Sequence, residues 1–479
     1  MILQITFNQI INVLFLIYGL FILISYISIG ILSIFELSFH VKRNENFDFK
    51  SILGFKKLPS ISIIAPAYNE EKSIIENIRS LLSIYYPKVD VIIVNDGSTD
   101  NSLQSIIEHY QLVKVNMAVE NKVKTASIRG IYKSLNSSYS NLIVVDKENG
   151  GKADALNAGI NVSRNDLFLA IDVDCIIEPS AILHMVKPFL EEKNGCQVIA
   201  SGGVIRIANS CEIKDGIIMK VNYPKNFWAK FQVLEYFRAL TLGRMAWSKI
   251  NGLLMISGAF GLFDRKTVVA VGGYDTSTVG EDLELVVRMR RYMHEMGINN
   301  YKVAFIPDPL CWTEVPSSLK VLSRQRNRWT RGAIYTLIKH RKMFFNSKYK
   351  RIGLFSFPYW VFFEWAAPII EFIGIVYFLI ILILGMVSLK TFLILSLFVF
   401  SLALVFSTFA ILYESYIYNK YKGYKFLLKV VFIAIIEVFI FHPLIMLSSI
   451  SGNFDFFVKK NKKGWGKMTR TAFDSKKKV

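Results

Sequence analysis

Asp172 and Asp174 flank Val173 directly after Leu167-Phe168-Leu169-Ala170-Ile171. An unbroken apolar run of this length reads as a strand buried on both faces of an α/β sheet. In such sheets ligands bind off the carboxyl ends of the strands. A hard divalent cation shared with substrate phosphates takes one or two carboxylates there. The pair is therefore expected to bring a metal-bound nucleotide diphosphate to the centre of an active site. The competing reading is a strand end whose aspartates cap a turn.

Two further carboxylates occupy equivalent places. Asp96 follows the apolar run of residues 89–94, and Asp282 follows Gly280-Glu281 at the start of a helical pattern reaching about Met296. In a parallel sheet such points converge on one rim. Any one of them alone reads more readily as a turn or helix cap, but four at equivalent positions are less easily explained as caps. Lys152 stands where Gly150-Gly151 meets a helix, which suits phosphate: free N–H groups, the positive end of a dipole and an ammonium. A solvated loop lysine is the alternative. Gln325, Arg326, Arg328 and Trp329 place an amide, two guanidiniums and an indole within five residues. Arg328 suits a diphosphate clamp, because guanidinium forks match phosphate oxygens, and Trp329 offers a flat face to a sugar ring. An interfacial amphipathic helix explains the same composition.

The elements around these residues alternate strand and helix from 60 to about 315. Strands are expected at 61–65, 89–94, 142–145 and 167–171. A helix carries Ile74, Ile75, Ile78, Leu81 and Leu82 on one face, and another spans 227–247. Ser98 or Thr99 is placed to cap the helix after Asp96. Repetition of strand, turn and helix implies a mainly parallel sheet with helices on both sides.

The flanks are different. The chain has 479 residues, 52% of them hydrophobic, with a mean hydropathy of +0.37. No charge occurs between residues 10 and 35, long enough to span a bilayer, and Lys42, Arg43 and Lys50 follow. The positive-inside rule places the next segment in the cytoplasm. Further apolar spans are expected near 360–386, 391–417 and 426–450, with Lys420, Lys422, Lys425 and the tail from Lys459 cytoplasmic. Three complete spans would leave that tail outside, so one segment is expected to be re-entrant or interfacial. His442-Pro443 makes the last one suspect. The net charge of +20 lies largely beside apolar segments, which fits anionic membrane lipids and argues against nucleic acid. The 4 cysteines form no C-x-x-C pair, which makes zinc and a disulfide framework unlikely readings. The resulting partition is an N-terminal span over 1–40, a soluble domain over 41–316, an interfacial helix region over 317–351, a membrane region over 352–457 and a basic tail over 458–479.

Six motifs occur in order: Pro-Ala-Tyr-Asn-Glu (66–70), Val-Asn-Asp-Gly-Ser-Thr-Asp (94–100), Gly-Gly-Lys-Ala-Asp-Ala-Leu-Asn (150–157), Asp-Val-Asp (172–174), Gly-Glu-Asp (280–282) and Gln-Arg-Asn-Arg-Trp (325–329). Together they resemble the membrane-embedded family 2 glycosyltransferases, among them the cellulose, hyaluronan and poly-N-acetylglucosamine synthases. The resemblance implies an α/β GT-A domain with a helical transmembrane region. It implies inverting transfer of a sugar from a UDP-sugar donor to a growing glycan acceptor at a bacterial-type inner membrane. By the same resemblance Tyr68, Glu70 and Asp96 lie at the nucleoside and Lys152 near the diphosphate. Asp172 and Asp174 hold Mg²⁺ or Mn²⁺, and Asp282 is the catalytic base. Gln325, Arg328 and Trp329 border the diphosphate and acceptor, and Ser257 to Phe260 resembles the acceptor loop. No PilZ-like module or cellulose-synthase-type gating loop is evident, so the plan looks nearest to poly-N-acetylglucosamine synthases. The need for an accessory export subunit stays open. Single transfer to a lipid-linked or short glycan, and a nucleotide-binding transporter or scaffold, are the alternatives.

Overall fold

The computed structural model describes residues 2–45, 47–55, 57–191, 195–214, 216–387, 389–418 and 424–461. Its strands are β1 (Ile61–Ala67), β2 (Val89–Asp96), β3 (Leu112–Val115), β4 (Ile128–Ser134), β5 (Leu142–Lys147), β6 (Leu167–Ile171), β7 (Ile176–Ile177), β8 (Gln197–Ile207), β9 (Glu212–Lys214), β10 (Ile217–Lys220), β11 (Phe260–Asp264) and β12 (Tyr301–Thr313). The helices are α1 (Ile2–Asn44), α2 (Ile74–Leu82), α3 (Ser102–Tyr110), α4 (Lys152–Val162), α5 (Ala181–Leu190), α6 (Phe227–Tyr236), α7 (Arg244–Lys249), α8 (Arg265–Ala270), α9 (Glu281–Glu295), α10 (Leu319–Lys339), α11 (Phe357–Tyr359), α12 (Ala367–Ile383), α13 (Leu389–Tyr418), α14 (Tyr424–Phe439) and α15 (Phe441–Phe457).

Ten strands form one sheet in the order β3-β4-β5-β2-β1-β6-β11-β8-β12-β7. At its centre β5, β2, β1 and β6 run parallel, which needs both faces covered. Accordingly every residue of β6 is buried, with Ile63, Ile92, Val144 and Leu169 in the same core. Helix α4 packs on β1 and β2, and α5 on β8 and β12. The expected parallel centre is present, but the sheet as a whole is mixed. Strand β11 runs antiparallel to both β6 and β8. This reversal matters for the site. The register Phe260↔Ile171 sets the start of β11 against the end of β6, so the loop before Phe260 sits beside Asp172.

The helical segment expected over 227–247 is present from Phe227 to Lys249, widened to a π-helical turn over Phe237–Gly243. One local expectation is corrected. Neither Ser98 nor Thr99 caps α3, whose N-cap residue is Asn101. Instead Ser98 Oγ accepts from the Asn69 amide at 3.0 Å, and the Thr99 amide donates to Asn69 Oδ1 at 2.8 Å. Asn69 adopts φ 56°, a left-handed turn that asparagine tolerates, and these bonds hold it there. The side chains are thus spent on joining two loops at the rim.

Among the described residues two helices, Gln9–Asn44 and Leu397–Tyr418, are long and apolar enough to cross a membrane, or up to four if each bent pair is one span. The bent pairs are Ile352–Trp365 with Ala367–Ile383, at 41°, and Phe426–Phe439 with Phe441–Phe457, at 46°. The second break falls just ahead of Pro443, which lacks the N–H that a continuous helix would pair with the carbonyl four residues back. Large apolar side chains on α1 and α13, such as Leu16, Phe35, Leu397 and Val405, are exposed, as lipid-facing residues are. Lys420, Lys422 and the tail beyond 461 lie outside the described residues, as does the side chain of Lys425.

Candidate active site

The rim at the carboxyl ends of the parallel strands opens into one cavity of about 3980 Å³. Tyr68, Glu70, Asp96, Lys152, Asp172, Asp174, Asp282, Gln325, Arg328 and Trp329 all line it. The four aspartates expected to converge therefore do so.

Asp96 ends β2 and is buried. Its Oδ1 accepts from the Gly150 amide at 3.0 Å and from Lys147 Nζ at 2.7 Å, and its Oδ2 accepts from the Gly151 amide at 2.8 Å. The expectation of free N–H groups at this turn is thus corrected, since Asp96 takes both glycine amides. The turn needs its glycines. Gly151 has φ +84°, and a Cβ on Gly150 would stand 2.6 Å from the Asp154 carboxyl. The result orients Lys152 as the first residue of α4.

Lys152 Nζ lies 2.5 Å from Asp172 Oδ1, 3.2 Å from the Gly258 carbonyl and 3.7 Å from Glu281 Oε1. Burial alone would lower its pKa, but Asp172 and Glu281 outweigh burial and hold the ammonium above its ordinary value. Glu281 is pushed upward by burial, against the pull of Lys152 and with the help of Asp282. Asp282 is held from two sides: Oδ1 accepts from the Leu283 amide at 2.8 Å and Oδ2 from the Gly258 amide at 3.0 Å. The reversed β11 thus supplies the loop that fixes Asp282 and touches Lys152.

Asp172 and Asp174 follow β6 as hard oxygen donors facing the cavity. Among the described residues no group of three or more His, Cys, Asp or Glu side chains could cage a metal ion. A two-carboxylate donor set fits Mg²⁺ or Mn²⁺ completed by substrate phosphates and water.

Helix α10 separates the roles of its basic residues. Arg326 is buried, bonds Glu235 Oε2 at 2.6 Å and stacks 4.1 Å from the Trp329 ring centroid. Arg328 faces the cavity and acts on Glu281. With one face against Arg326, the half-exposed Trp329 has its other face for a ligand. Gln325 Oε1 is buried without a hydrogen-bond partner among the described residues. Helix α10 is locked to α9 by Glu284, which receives Lys339 Nζ at 2.7 Å, His340 Nε2 at 3.2 Å and Arg288 Nη2 at 2.7 Å. Burial raises the Glu284 pKa, but those bonds outweigh it and bring the carboxyl down to about 2. The two backbones touch where a Cβ on Gly332 would stand 2.7 Å from Gly280 Cα. Gly332→Ala is therefore expected to destabilise the protein by about 1–3 kcal/mol through overpacking. The measurement is the thermal unfolding midpoint of the detergent-solubilised chain, and an unchanged midpoint would contradict the contact.

Sequence reasoning did not single out Glu281 or Arg244 as site residues. Glu281 stood in a quoted motif beside Asp282, so its signal was available. Arg244 had none, because its place depends on how the wide turn folds.

An α/β sheet with a carboxylate rim, a reversed strand beside it and flanking apolar helices defines a GT-A glycosyltransferase fold. Residues 59–332, more than half the chain, match the family described as Glycosyltransferase like family 2, and the chain belongs to that family. It is 28% identical over 324 residues to the "Probable glycosyltransferase YdaM" of Bacillus subtilis (strain 168), covering 65% of this chain and 64% of that one. It is 28% identical over 307 residues to the poly-beta-1,6-N-acetyl-D-glucosamine synthase of Staphylococcus aureus (strain COL), covering 64% and 62%. The match thus spans less than two thirds of either relative's length. Among solved structures, the mannosyltransferase PcManGT from Pyrobaculum calidifontis, in complex with GDP-Man and Mn2+, overlays with a TM-score of 0.50 at 15% identity, covering 91% of this chain and 99% of that one.

Proposed function

We propose that the chain transfers a hexosyl unit, with inversion, from a UDP-sugar to a hydroxyl of a growing glycan and passes the product across the membrane. The observation that carries this reading is the single cavity. It joins Lys152, Asp172, Asp174, Asp282 and Arg328 at the rim to a space between α1, α12, α13 and α14. UDP-N-acetylglucosamine is the first donor to test, because one similar relative is named a poly-beta-1,6-N-acetyl-D-glucosamine synthase.

In the proposed reaction an acceptor hydroxyl oxygen attacks the anomeric carbon from the face opposite the diphosphate. The new glycosidic bond forms as the bond from carbon to diphosphate oxygen breaks. Asp282 takes the hydroxyl proton. Lys152 and Arg328 offset the charge that grows on the departing UDP. Tyr68, Glu70 and Asp96 border the nucleoside, Gln325 reaches the diphosphate, and Trp329 stacks on the acceptor. A divalent cation held by Asp172 and Asp174 would supply further neutralisation of the diphosphate.

The partition proposed is a span over 1–40, a catalytic domain over 41–316, the α10 region over 317–351, a membrane region over 352–457 and a tail over 458–479. Lys42 and Arg43 at the end of α1 favour a cytoplasmic catalytic domain in a bacterial-type cell membrane. The pair α14–α15 reads as re-entrant. Its second half is held by α10: Ser448 Oγ bonds Ser323 Oγ at 2.9 Å, and Asn327 Nδ2 bonds Asp455 Oδ2 at 2.8 Å. In this reading α15 ends on the side of the domain, the side that the positive-inside rule gives to a basic tail.

The test is radiolabel incorporation by purified membranes given UDP-N-acetylglucosamine, UDP-glucose and UDP-glucuronate in turn. Labelled polymer from one donor is expected. Failure with every donor, while UDP still binds, would sink the transferase reading.

A further inference from the structure

Lys152 Nζ stands 2.5 Å from Asp172 Oδ1, and among the described residues it is the one hydrogen-bond or ion-pair partner of that carboxylate. The contact joins the start of α4 to the segment after β6, so no local pattern dictates it. The Gly150-Gly151 turn, tied to Asp96, fixes the backbone from which Lys152 rises. Its flexible four-carbon stem is the part left free to move. Two other acceptors already meet the same ammonium: the Gly258 carbonyl at 3.2 Å and Glu281 Oε1 at 3.7 Å. Gly258 also crowds it, since a Cβ there would stand 3.3 Å from Nζ and 3.2 Å from Asp282 Cβ. Asp172 is 27% exposed and lines the cavity, so its carboxylate is open to a ligand from that side.

A divalent cation on Asp172 would bring a second positive charge to a carboxylate that an ammonium already holds. Like charges on one carboxylate repel strongly, and more so where water is partly excluded. One carboxylate therefore cannot serve both at full strength, and the cation binds well only as Lys152 moves off Oδ1. Moved without a new acceptor, the ammonium keeps the Gly258 carbonyl and the longer contact to Glu281, and a poorly met charge in a largely buried place is costly. A diphosphate changes this balance. Its oxygens bind the cation and also accept from the ammonium, in charge-assisted bonds that replace the one given up at Asp172. A cation arriving alone receives no such compensation.

We infer that Lys152 is a specificity-determining residue for the metal: it competes with the divalent cation for Asp172 and yields that carboxylate to a cation that comes with a diphosphate. This inference rests on the transferase reading above, in which Asp172 holds the cation and Lys152 meets the diphosphate. Its consequence is positive coupling. The nucleotide tightens the metal and, by linkage, the metal tightens the nucleotide by the same factor. The site thus selects the metal–nucleotide pair over the free cation, and Glu281 is the acceptor that keeps the ammonium nearby during the exchange.

The experiment uses the full-length protein in detergent, with Mn²⁺ alone, UDP alone and the two together as probes. Calorimetry reads UDP affinity, and loss of the free Mn²⁺ electron spin resonance signal reads metal affinity. In wild type, UDP is expected to tighten Mn²⁺ by at least about tenfold, within the usual range of coupling between sites. Lys152→Met is expected to tighten Mn²⁺ alone by about tenfold, to weaken UDP alone and to shrink the coupling. That gain of metal affinity is not an effect misfolding produces, and should the methionine variant not fold, Lys152→Gln makes the same test. In an Asp172→Asn background the substitution should leave Mn²⁺ affinity within about twofold, because the shared carboxylate is gone. The proposal is overturned if wild type binds Mn²⁺ equally well with and without UDP. It is also overturned if the folded Lys152 variant binds Mn²⁺ alone no more tightly than wild type. Equal tightening in the Asp172→Asn background would overturn it too, by assigning the effect to one removed charge rather than to a shared ligand. Tightened Mn²⁺ binding with no sugar transfer from any donor would reject the transferase reading and keep the competition. Transfer by wild type, with Mn²⁺ affinity unaltered in the variant, would reject the competition alone.

Discussion

Asp282→Asn is expected to cut sugar transfer by about 100- to 10,000-fold, the usual contribution of a positioned general base. The substitution is nearly isosteric. The wild-type carboxylate is pinned by the Leu283 and Gly258 amides at 2.8 and 3.0 Å, so the side chain has little freedom to adopt another role. Asparagine keeps the shape, loses the capacity to take a proton and accepts from only one of the two amides, since its NH2 donates and cannot pair with the other. It leaves Lys152, Asp172 and Arg328 in place. UDP binding, measured by calorimetry, should therefore hold within about twofold while turnover collapses, because ground-state contacts and transition-state proton transfer are separate terms. Transfer within tenfold of wild type would remove Asp282 from the base role. Equal loss of UDP affinity and turnover would instead assign it to donor binding.

The second large effect is expected at Asp174. Asp174→Ala removes one of two carboxylates that end β6, and no third ligand group stands by among the described residues to replace it. Turnover should fall by at least about 100-fold, the rate equivalent of roughly 3 kcal/mol of lost charge neutralisation at the diphosphate. Chelation of wild-type protein should produce a similar loss, reversed by added Mg²⁺ or Mn²⁺. The variant should not recover at ordinary metal concentrations. Full activity of wild type after exhaustive chelation would show that Lys152 and Arg328 suffice.

Both predictions concern residues that were legible before any coordinates. Their types and positions along the chain carried the information. A carboxylate after an apolar run ends a buried strand, and strands in a parallel sheet end on one rim. The break ahead of Pro443 was legible for a similar reason, since a missing N–H is a property of one residue. Asp96 was found as a rim residue, but its engagement with the Gly150 and Gly151 amides was not, because the partner lies 54 residues away. Ser98 and Thr99 were assigned to the following helix for want of any sign that Asn69 would claim them.

The sequence by itself determined the parallel centre of the sheet, ten of the residues that line the cavity and the apolar flanks. The sheet centre, the rim aspartates and the flanks follow from local pattern, that is, burial periodicity, turn chemistry and charge beside a hydrophobic run, whereas Tyr68 and Glu70 entered only through the family resemblance. Only the tertiary structure decided the direction of β11, the stacking of Arg326 on Trp329 and the packing of α7 against α1. A five-residue strand such as β11 has no intrinsic orientation, since either direction buries the same side chains. Its reversal brings Gly258 to Asp282 and Lys152, and so assembles the site from segments more than a hundred residues apart.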